Sequence, residues 1–522
     1  MKALQAIAIA SIITVVALAI CFVQHDGGDS NDDGYLYAIY TDSETNLDVI
    51  DVYESHIEDG KATAPVQRYR TSGSPDSINP FWAFDRTTGK GPFNSFYAAI
   101  NLTDNSLAYS ANDSVQKRMS SSVGCVAYIL DPYDLTKTME GNGFDAKLYN
   151  VMLIVPTVYW VSEKVTAGET SGNLVKGKEY NVLYVSSSPE YALPGHGTIG
   201  GMKAYAHSAS TVPGKTDFET NVYPYLGIGV YESYVTVDGD PSGEGMLVSQ
   251  SGRVPSAHID VDGFRDLADS LVPASGGDLQ SDYQQWNYYQ WTLYKIMSYT
   301  VMGSKNSQVM VGDGYVLGND PPEVIGNDSP AVTGSTDGIG FMGIADETKS
   351  ASGAISSDTG RTSSKLFIEN GWGSLNVFVG DAYVTGTESS ELHLHAGNYL
   401  GGSSLIDSRD QPLTQELWAD IFSTGTEQYV ISSASAASAT WDTPTSSNGN
   451  RDSYTDPDYP GDMVNGAESG VLSITVGGRW NKAYRCGTAF ACAGYEIDLA
   501  NEYRGARLAY LMSDDTLRAS YP

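Results

Sequence analysis

Short runs of apolar residues alternate with polar turns over the first third of the chain. Residues 35–51 have the sequence YLYAIYTDSETNLDVID, in which a polar turn separates two apolar runs, and this predicts two paired strands. Similar runs lie at 96–100, 124–130 and 149–161, and clusters of Gly, Ser, Asn and Asp separate them. Residues 35–147 are therefore predicted to be β-rich, without the fixed repeat of a solenoid or propeller.

Two segments in the middle of the chain have a helical period. Residues 259–272 place three large apolar side chains on one helical face, and residues 282–302 (DYQQWNYYQWTLYKIMSYTVM) repeat aromatic and aliphatic residues at steps of three and four. Both segments are predicted to be helices, and the aromatic stripe is interpreted as core. Residues 312–360 and 440–470 are rich in Gly, Ser, Asp and Pro, a composition typical of functional loops or insertions.

An uncharged apolar run opens the chain. Lys2 precedes residues 6–23, which contain 18 residues and no charge, close to the roughly 20 residues of a membrane-spanning helix. The basic side chain on the N-terminal side predicts an anchor with the C-terminal part outside the cell. Residues 1–24 are therefore predicted to be an anchor or signal segment, residues 25–34 an acidic tether, and the protein to lie at the cell surface. A cleaved signal peptide is the alternative, because residues 17–19 (ALA) suit cleavage, and the protein would then be secreted.

The charge of the chain restricts its partners. Asp and Glu number 63 against 30 Lys and Arg, which gives a formal net charge of −33. Such a chain repels a phosphate backbone and an anionic bilayer. Nucleic acid is therefore not expected as a partner, and contact with a membrane is expected only through the N-terminal segment.

Sequence motifs for catalysis and metal binding are missing from the chain. It contains no G-x-S-x-G elbow, no H-E-x-x-H pair and no P-loop. His393 and His395 alternate onto one face of a predicted strand, but no further Cys or His nearby completes a zinc site. We therefore predict neither a metal nor a cofactor, and no enzymatic activity.

Four residues are candidates for covalent modification. Cys486 and Cys492 are six positions apart and could form a disulfide in an exported protein; two small buried residues are the alternative. Asn101 and Asn112 begin N-x-S/T triplets and are candidate glycosylation acceptors.

Five motifs in order resemble a known family. They are VMLIVPTVYWV (151–161), YLGIGVYESYV (225–235), YQWTLYKIMSYTVMGSKNSQ (289–308), IENGWGSLNVFVGDAYV (368–384) and GGRWNKAYRCGTAF (477–490). Together they are similar to the C-type lectin-fold ligand-display domains of phage tail-fibre tips and of the variable proteins of diversity-generating retroelements. Formylglycine-generating enzymes share that scaffold. The resemblance implies an α+β fold, with two helices on a small antiparallel sheet and long loops, over a domain at 148–522.

The resemblance also implies a contact surface after the GGRW motif. The ligand-binding candidates carried over from the family are Trp480, Asn481, Lys482, Tyr484, Arg485, Thr488, Phe490 and Tyr495. The residues implied to hold this platform are Trp372, Gly373, Gly477 and Gly478. Tyr, Trp and Arg supply most of the contact energy in binding surfaces, and Asn adds adaptable hydrogen bonds.

The resulting prediction is a surface adhesin or receptor-type protein that displays a variable loop platform. Its expected partner is a protein or glycan on another cell, a virus or a host. Two alternatives stay open at this point: a cysteine oxidase similar to formylglycine-generating enzymes, which would use Cys486 and Cys492, and a structural component of the cell envelope.

Overall fold

The fold was established from a computed structural model of the 522-residue chain. The residues that it describes are 33–42, 48–58, 61–62, 66–71, 83–101, 119–120, 126–168, 175–193, 197–208, 222–236, 245–269, 283–302, 307–316, 329–357, 362–386, 392–396, 416–418, 427–429, 463–465, 470–481 and 486–512.

Strands dominate the described residues. The α-helices are α1 (Val261–Asp269), α2 (Tyr288–Met302) and the single turn α3 (Ser307–Met310). The strands of the first half are β1 (Asp33–Asp42), β2 (Asp48–Glu58), β3 (Lys61–Ala62), β4 (Val66–Thr71), β5 (Phe96–Asn101), β6 (Met119–Ser120), β7 (Val126–Asp131), β8 (Asp134–Thr138), β9 (Tyr149–Pro156), β10 (Tyr159–Thr166), β11 (Glu179–Ser186), β12 (Tyr191–Leu193), β13 (Gly197–Ile199), β14 (Tyr225–Gly229), β15 (Tyr234–Thr236) and β16 (Met246–Val248). Those of the second half are β17 (Tyr283–Gln285), β18 (Met342–Ile344), β19 (Thr348–Lys349), β20 (Ile355–Ser356), β21 (Ser364–Leu366), β22 (Ile368–Glu369), β23 (Asn376–Gly386), β24 (Leu392–Ala396), β25 (Glu416–Trp418), β26 (Glu427–Tyr429), β27 (Met463–Asn465), β28 (Gly470–Gly478), β29 (Cys486–Glu496), β30 (Arg504–Gly505) and β31 (Leu508–Met512).

Three large sheets contain most of these strands. The N-terminal sheet has the order β10-β11-β1-β2-β3, with β4 also paired to β2. The central sheet has the order β17-β31-β14-β9-β5-β7-β6, with β8 on β7. The C-terminal sheet has the order β25-β24-β23-β28-β29-β27-β26, with β30 on β23. Its β27–β29 and β23–β30 pairs are parallel, and the other strand pairs described in the three sheets are antiparallel.

The strand pairing joins regions that are far apart in sequence. β5 pairs with β9 from Phe96↔Ile154 to Asn101↔Tyr149, and β1 pairs with β11. At the far side of the central sheet, β14 pairs with the C-terminal strand β31. Strands from both sides of the predicted boundary at 147/148 therefore share two sheets, and residues 35–147 do not form a sheet of their own.

The predicted α+β class is wrong, because the described part of the chain is mostly β. The two predicted helices are found as α1 and α2, but they accompany three large sheets instead of resting on one small sheet. The segment 283–285, which the aromatic pattern assigned to the second helix, is the strand β17 and pairs with β31. A short apolar run fits either element, and tertiary pairing decided this one.

The predicted membrane anchor is also corrected. Among the residues that the structure describes, none belongs to a helix long and apolar enough to cross a bilayer, and the longest, α2, has 15 residues. The single-pass anchor and the localisation based on it are therefore not supported. The segment 1–24 lies outside the described residues, as does the tether at 25–34 apart from its last two residues, which begin β1.

Helix α2 lies at the centre of the core. All 15 of its residues are buried, and its apolar side chains belong to one cluster with Leu183, Leu153 and Val377, one from each large sheet. A helix that is buried on every side is an interior helix. The ammonium group of Lys295 lies 3.8 Å from the ring centroid of Trp291, an arrangement that stabilises a buried cation. The interpretation of the aromatic stripe as core is confirmed.

Candidate functional site

The WG and GGRW motifs meet in space and hydrogen-bond to each other. The Gly373 amide donates to the Gly477 carbonyl at 3.1 Å, and the Trp480 amide donates to the Ser374 carbonyl at 2.9 Å. Gly477 has φ +82°, and a Cβ atom there would lie 2.8 Å from the Gly371 carbonyl oxygen. Only glycine allows this close approach of two backbones.

The four residues that the resemblance assigned to the platform are all buried. They are Trp372, Gly373, Gly477 and Gly478. The Trp372 indole donates its Nε1 proton to the Gly312 carbonyl at 3.0 Å, and the three glycines have φ between +79° and +82°. These residues therefore hold the two motifs together from within the protein and present no side chain to solvent.

The close contact at Gly477 leads to a stability prediction. We expect Gly477→Ala to lower the free energy of unfolding by about 2–4 kcal/mol, from backbone strain and from the clash with Gly371. Gly141→Ala is the matched control, because Gly141 also has φ +82° but a Cβ atom added there would meet nothing within 4 Å. It should cost only about 1 kcal/mol. Urea unfolding measures both, and equal losses would show that the contact at Gly477 is not tight.

An arginine side chain that directly follows the two glycines of the GGRW motif stacks on a tyrosine ring. The Arg479 guanidinium lies 4.1 Å from the ring centroid of Tyr503, and the buried Trp480 ring lies 5.5 Å from the same centroid. The Asn376 amide donates to the Tyr503 carbonyl at 2.9 Å, which ties the stack to β23. Arg479 and Tyr503 are half-buried, as are Asn481 and Tyr495 nearby in sequence. We call these four side chains the arginine–tyrosine surface.

Three of the predicted ligand-binding side chains are corrected, because they are buried. Trp480 packs with Tyr315 and Ala331. Thr488 and Phe490 lie inside on β29, where the Thr488 carbonyl accepts a hydrogen bond from the Trp291 indole of α2 at 3.2 Å. A buried side chain cannot contact a partner directly.

The remaining candidates divide into two groups. Asn481 and Tyr495 are half-buried, and the amide oxygen of Asn481 is itself buried. Lys482, Tyr484 and Arg485 lie outside the described residues.

The predicted disulfide is wrong. Cys486 and Cys492 are both buried and do not form a disulfide. Both lie in the one strand β29, where six residues of extended chain span roughly 20 Å, far beyond the reach of a disulfide. The Cys486 thiol contacts the Arg479 carbonyl at 3.4 Å. A buried thiol is inaccessible to a macromolecular substrate, which weighs against cysteine chemistry.

Other candidates from the sequence cannot be placed as side chains. Asn112 and the side chain of Asn101 lie outside the described residues, and so do the side chains of His393 and His395 in β24. Within the described ranges, no three His, Cys, Asp or Glu side chains form a group that could hold a metal ion.

Two arginines of the RGAR segment have opposite surroundings. Arg507 is fully buried and donates to four backbone carbonyls. Arg504 is also fully buried, 4.0 Å from the ring centroid of Tyr495, but none of its three side-chain nitrogens has a hydrogen-bond partner among the described residues. Burial lowers the pKa of Arg504, Arg479 lowers it further, and Tyr495, Cys492 and Glu502 act in the opposite direction.

Sequence reasoning assigned no contact role to Arg479, Tyr503 or Arg504. The available signal was their composition, since Arg and Tyr flank the Gly-Gly turn and the closing strand. What brings them together is the pairing of β30 with β23, which the local pattern does not reveal.

Comparison with known proteins does not assign the chain to a family. No known family matches the chain, and no curated protein of similar sequence was found. One solved structure with some likeness is the Major Tropism Determinant P3c Variant, at 9% sequence identity and a TM-score of 0.22, covering 90% of this chain and 93% of that chain. At that TM-score the likeness supports no conclusion about fold or function.

Proposed function

We propose that this chain is a ligand-binding protein that contacts a protein or glycan partner through the arginine–tyrosine surface, and that it is not an enzyme. The observation that carries the proposal is the half-exposed stack of Arg479 on Tyr503, 4.1 Å apart, above a turn held by backbone hydrogen bonds.

The chemistry of the surface supports this role. Arg and Tyr are enriched among the residues that contribute most binding energy, because each combines a large apolar face with hydrogen-bonding groups. The backbone contacts of Gly373, Gly477 and Trp480 fix the turn before binding, so little conformational entropy is lost when a partner docks.

The distribution of thiols and charge supports binding over catalysis. Cys486 and Cys492, the candidates for a cysteine oxidase, are buried. The net charge of −33 disfavours nucleic acid, so a protein or a glycan is the partner class that fits best.

The proposal predicts how surface variants change binding. A partner would be captured from protein and glycan arrays with the full chain, and its dissociation constant measured by biolayer interferometry. We expect Tyr503→Ala and Arg479→Ala each to weaken binding about tenfold to thirtyfold, the loss typical of central contact residues.

A matched control removes a similar pair elsewhere. The Arg86 guanidinium lies 3.8 Å from the ring centroid of Tyr133, and Arg86 is exposed. Arg86→Ala should leave affinity unchanged. Equal affinity of the Arg479, Tyr503 and Arg86 variants would refute the proposed surface, and self-association of the purified chain without any captured partner would favour a structural component.

A further inference from the structure

Residues 331–340 form a strap that is held to the rest of the protein mainly by polar contacts. The buried side chains of the strap are those of Ala331, Thr333 and Thr336, and none of its large apolar side chains is buried. Segments with little buried apolar surface open at a lower free energy than the core does. The polar contacts of the strap therefore decide whether it stays in place.

Glu369 holds the middle of the strap through one carboxylate. Its Oε1 atom accepts from the Gly334 amide at 2.8 Å, and its Oε2 atom accepts from the Thr336 amide at 2.8 Å and from the Thr336 hydroxyl at 2.7 Å. The Glu369 side chain is fully buried, and within the described residues all the donors to its carboxylate belong to the strap. Three donors suit the ionised form of this group, which accepts hydrogen bonds and donates none.

Two further charged side chains complete the attachment. The Lys365 ammonium group donates to two carbonyls of the strap, at 2.8 and 3.3 Å. In the opposite direction, the carboxylate of Asp337 in the strap accepts from the Tyr231 hydroxyl and from the Ser251 hydroxyl, the latter at 2.7 Å. Charged groups thus bind from both sides of the contact.

Glu369 and Lys365 are both charged at about pH 7.5. Burial raises the pKa of Glu369 from 4.5 to about 7, and Asp337 raises it further, while the hydrogen bonds from the strap lower it. Burial lowers the pKa of Lys365 from 10.5 to about 8, although Asp337 and Glu369 act in the opposite direction. Between these two values the carboxylate and the ammonium form predominate, so their hydrogen bonds are charge-assisted and stronger than neutral ones.

The first residue of the strap contacts the base of the arginine–tyrosine surface. The Ala331 amide donates to the Ser374 hydroxyl at 3.1 Å, and the Ser374 carbonyl accepts from the Trp480 amide at 2.9 Å. Ala331 also packs against Trp480, whose ring contacts Tyr503. Ser374 has φ +59°, a strained conformation that persists only where the surroundings impose it. The strap therefore supports the GGRW turn (477–480).

Thr333 lies between these two attachments. Its hydroxyl donates to the Gln250 carbonyl at 2.7 Å and accepts from the Arg253 amide at 2.9 Å. Ser251, in the same short segment, binds Asp337. Because the Thr333 and Asp337 contacts share this support, we expect the strap to open as one unit instead of pivoting at Thr333.

We propose that the strap is a conformational device that controls the arginine–tyrosine surface. Docked on Glu369, it holds the GGRW turn in its binding position, and its opening releases the turn. The proposal rests on the proposed function, since it names how the same surface is regulated. A partner that binds the ordered surface would stabilise the docked strap to the same extent, because coupling between two sites is reciprocal.

Hydrogen–deuterium exchange of the full chain at about pH 7.5, followed by mass spectrometry, tests this coupling without a partner. Thr336→Val removes the hydroxyl donor to Glu369 and keeps the shape of the side chain. We expect it to lower the protection of residues 333–339 about tenfold, the loss of one hydrogen bond to a charged group. Protection of residues 477–481 should fall by the same factor, because the turn opens with the strap. Thr336→Ser, which keeps the hydroxyl, should stay close to the wild-type protein in both segments.

Thr300→Val is the matched control. Thr300 is also buried, and its hydroxyl donates at 2.7 Å to the Ile296 carbonyl within α2. This variant should leave the protection of residues 333–339 and 477–481 unchanged. Strand β9 lies in the central sheet and reports global unfolding, so its protection should not change in Thr336→Val.

Three results would overturn the proposal. Lower protection at 333–339 with unchanged protection at 477–481 would mean that the strap pivots at Thr333 and leaves the turn in place. Equal losses for the Val and Ser variants of Thr336 would show that the contact with Glu369 is not what holds the strap. An equal loss in β9 would mean that the strap opens only when the whole protein unfolds. If Thr336→Val does not fold, Asp337→Asn, which weakens the other attachment, is judged by the same criteria.

The outcomes also separate this proposal from the proposed function. A coupled strap, together with unchanged binding by Tyr503→Ala, would refute the arginine–tyrosine surface and leave the strap as the support of the GGRW turn. Weaker binding by Tyr503→Ala without coupled exchange would refute the strap and leave the surface.

Discussion

Arg507→Met is expected to lower the free energy of unfolding by about 3–5 kcal/mol, because it leaves four buried carbonyl oxygens without the donors that they have in the fold. The Arg507 guanidinium donates to the carbonyls of Gly229 and Val230 at 2.8 and 2.9 Å, and to those of Glu369 and Asn370 at 2.8 and 3.0 Å. One side chain thus joins the end of β14 to the end of β22, and β22 ends shortly before the WG motif at Trp372. Methionine has similar length but no donor, so these carbonyls lose buried hydrogen bonds.

Two further variants make this prediction specific. Arg507→Lys keeps the charge but cannot reach four carbonyls, so it should lose about half as much stability. Arg253→Met is the control, because Arg253 is half-buried and donates to one side chain, Gln250, at 3.1 Å; it should cost less than about 1 kcal/mol. Urea unfolding monitored by tryptophan fluorescence gives all three values, and a loss at Arg507→Met no larger than at Arg253→Met would contradict the argument.

Local sequence patterns located several elements correctly. The run at 35–51 contains parts of β1 and β2, the run at 149–161 contains β9 and the start of β10, and the helical period ends at Met302 as α2 does. These features depend on contacts between residues a few positions apart. The fold class depends on pairings such as β14 with β31, which join residues more than 250 positions apart, and no local pattern specifies them.

In the candidate site too, some features follow from local sequence and others only from tertiary structure. The resemblance implied the glycines of the platform, and Gly373, Gly477 and Gly478 do adopt a positive φ, which glycine reaches without steric cost. The direction of each side chain after the turn could not be predicted, and Trp480, Thr488 and Phe490 point inward. Arg504 and Arg507 are the same residue type three positions apart, yet one has four acceptors and the other none among the described residues. Only tertiary structure distinguishes them.

The free energy of unfolding is expected to fall as the pH rises, because of the buried carboxyl group of Glu232. The carboxyl group is buried, and its Oε1 atom accepts a hydrogen bond from the amide of Leu375, shortly after the WG motif, at 2.9 Å. Its Oε2 atom has no hydrogen-bond partner among the described residues. Burial raises the pKa of Glu232 from 4.5 to about 8, although the nearby Arg507 acts in the opposite direction. The folded protein therefore holds this proton more tightly than the unfolded chain. The resulting stability is fully present below pH 4.5 and is lost as the pH rises toward 8.

Glu232→Gln removes this dependence, because glutamine stays neutral and still accepts from Leu375. We expect the variant to match the wild-type protein within about 1 kcal/mol at pH 5 and to exceed it by about 4 kcal/mol at pH 9, the value of a shift of this size. The difference between the two unfolding free energies, measured by urea unfolding from pH 5 to pH 9, cancels the titration of other groups. Glu347→Gln, at an exposed position, is the control and should show a flat difference. A flat difference for Glu232→Gln as well would mean that this carboxyl is ionised in the fold, with Arg507 as its counterion. Arg507→Met would then raise the pKa of Glu232 by removing its counterion, so it would destabilise the protein more at pH 9 than at pH 5.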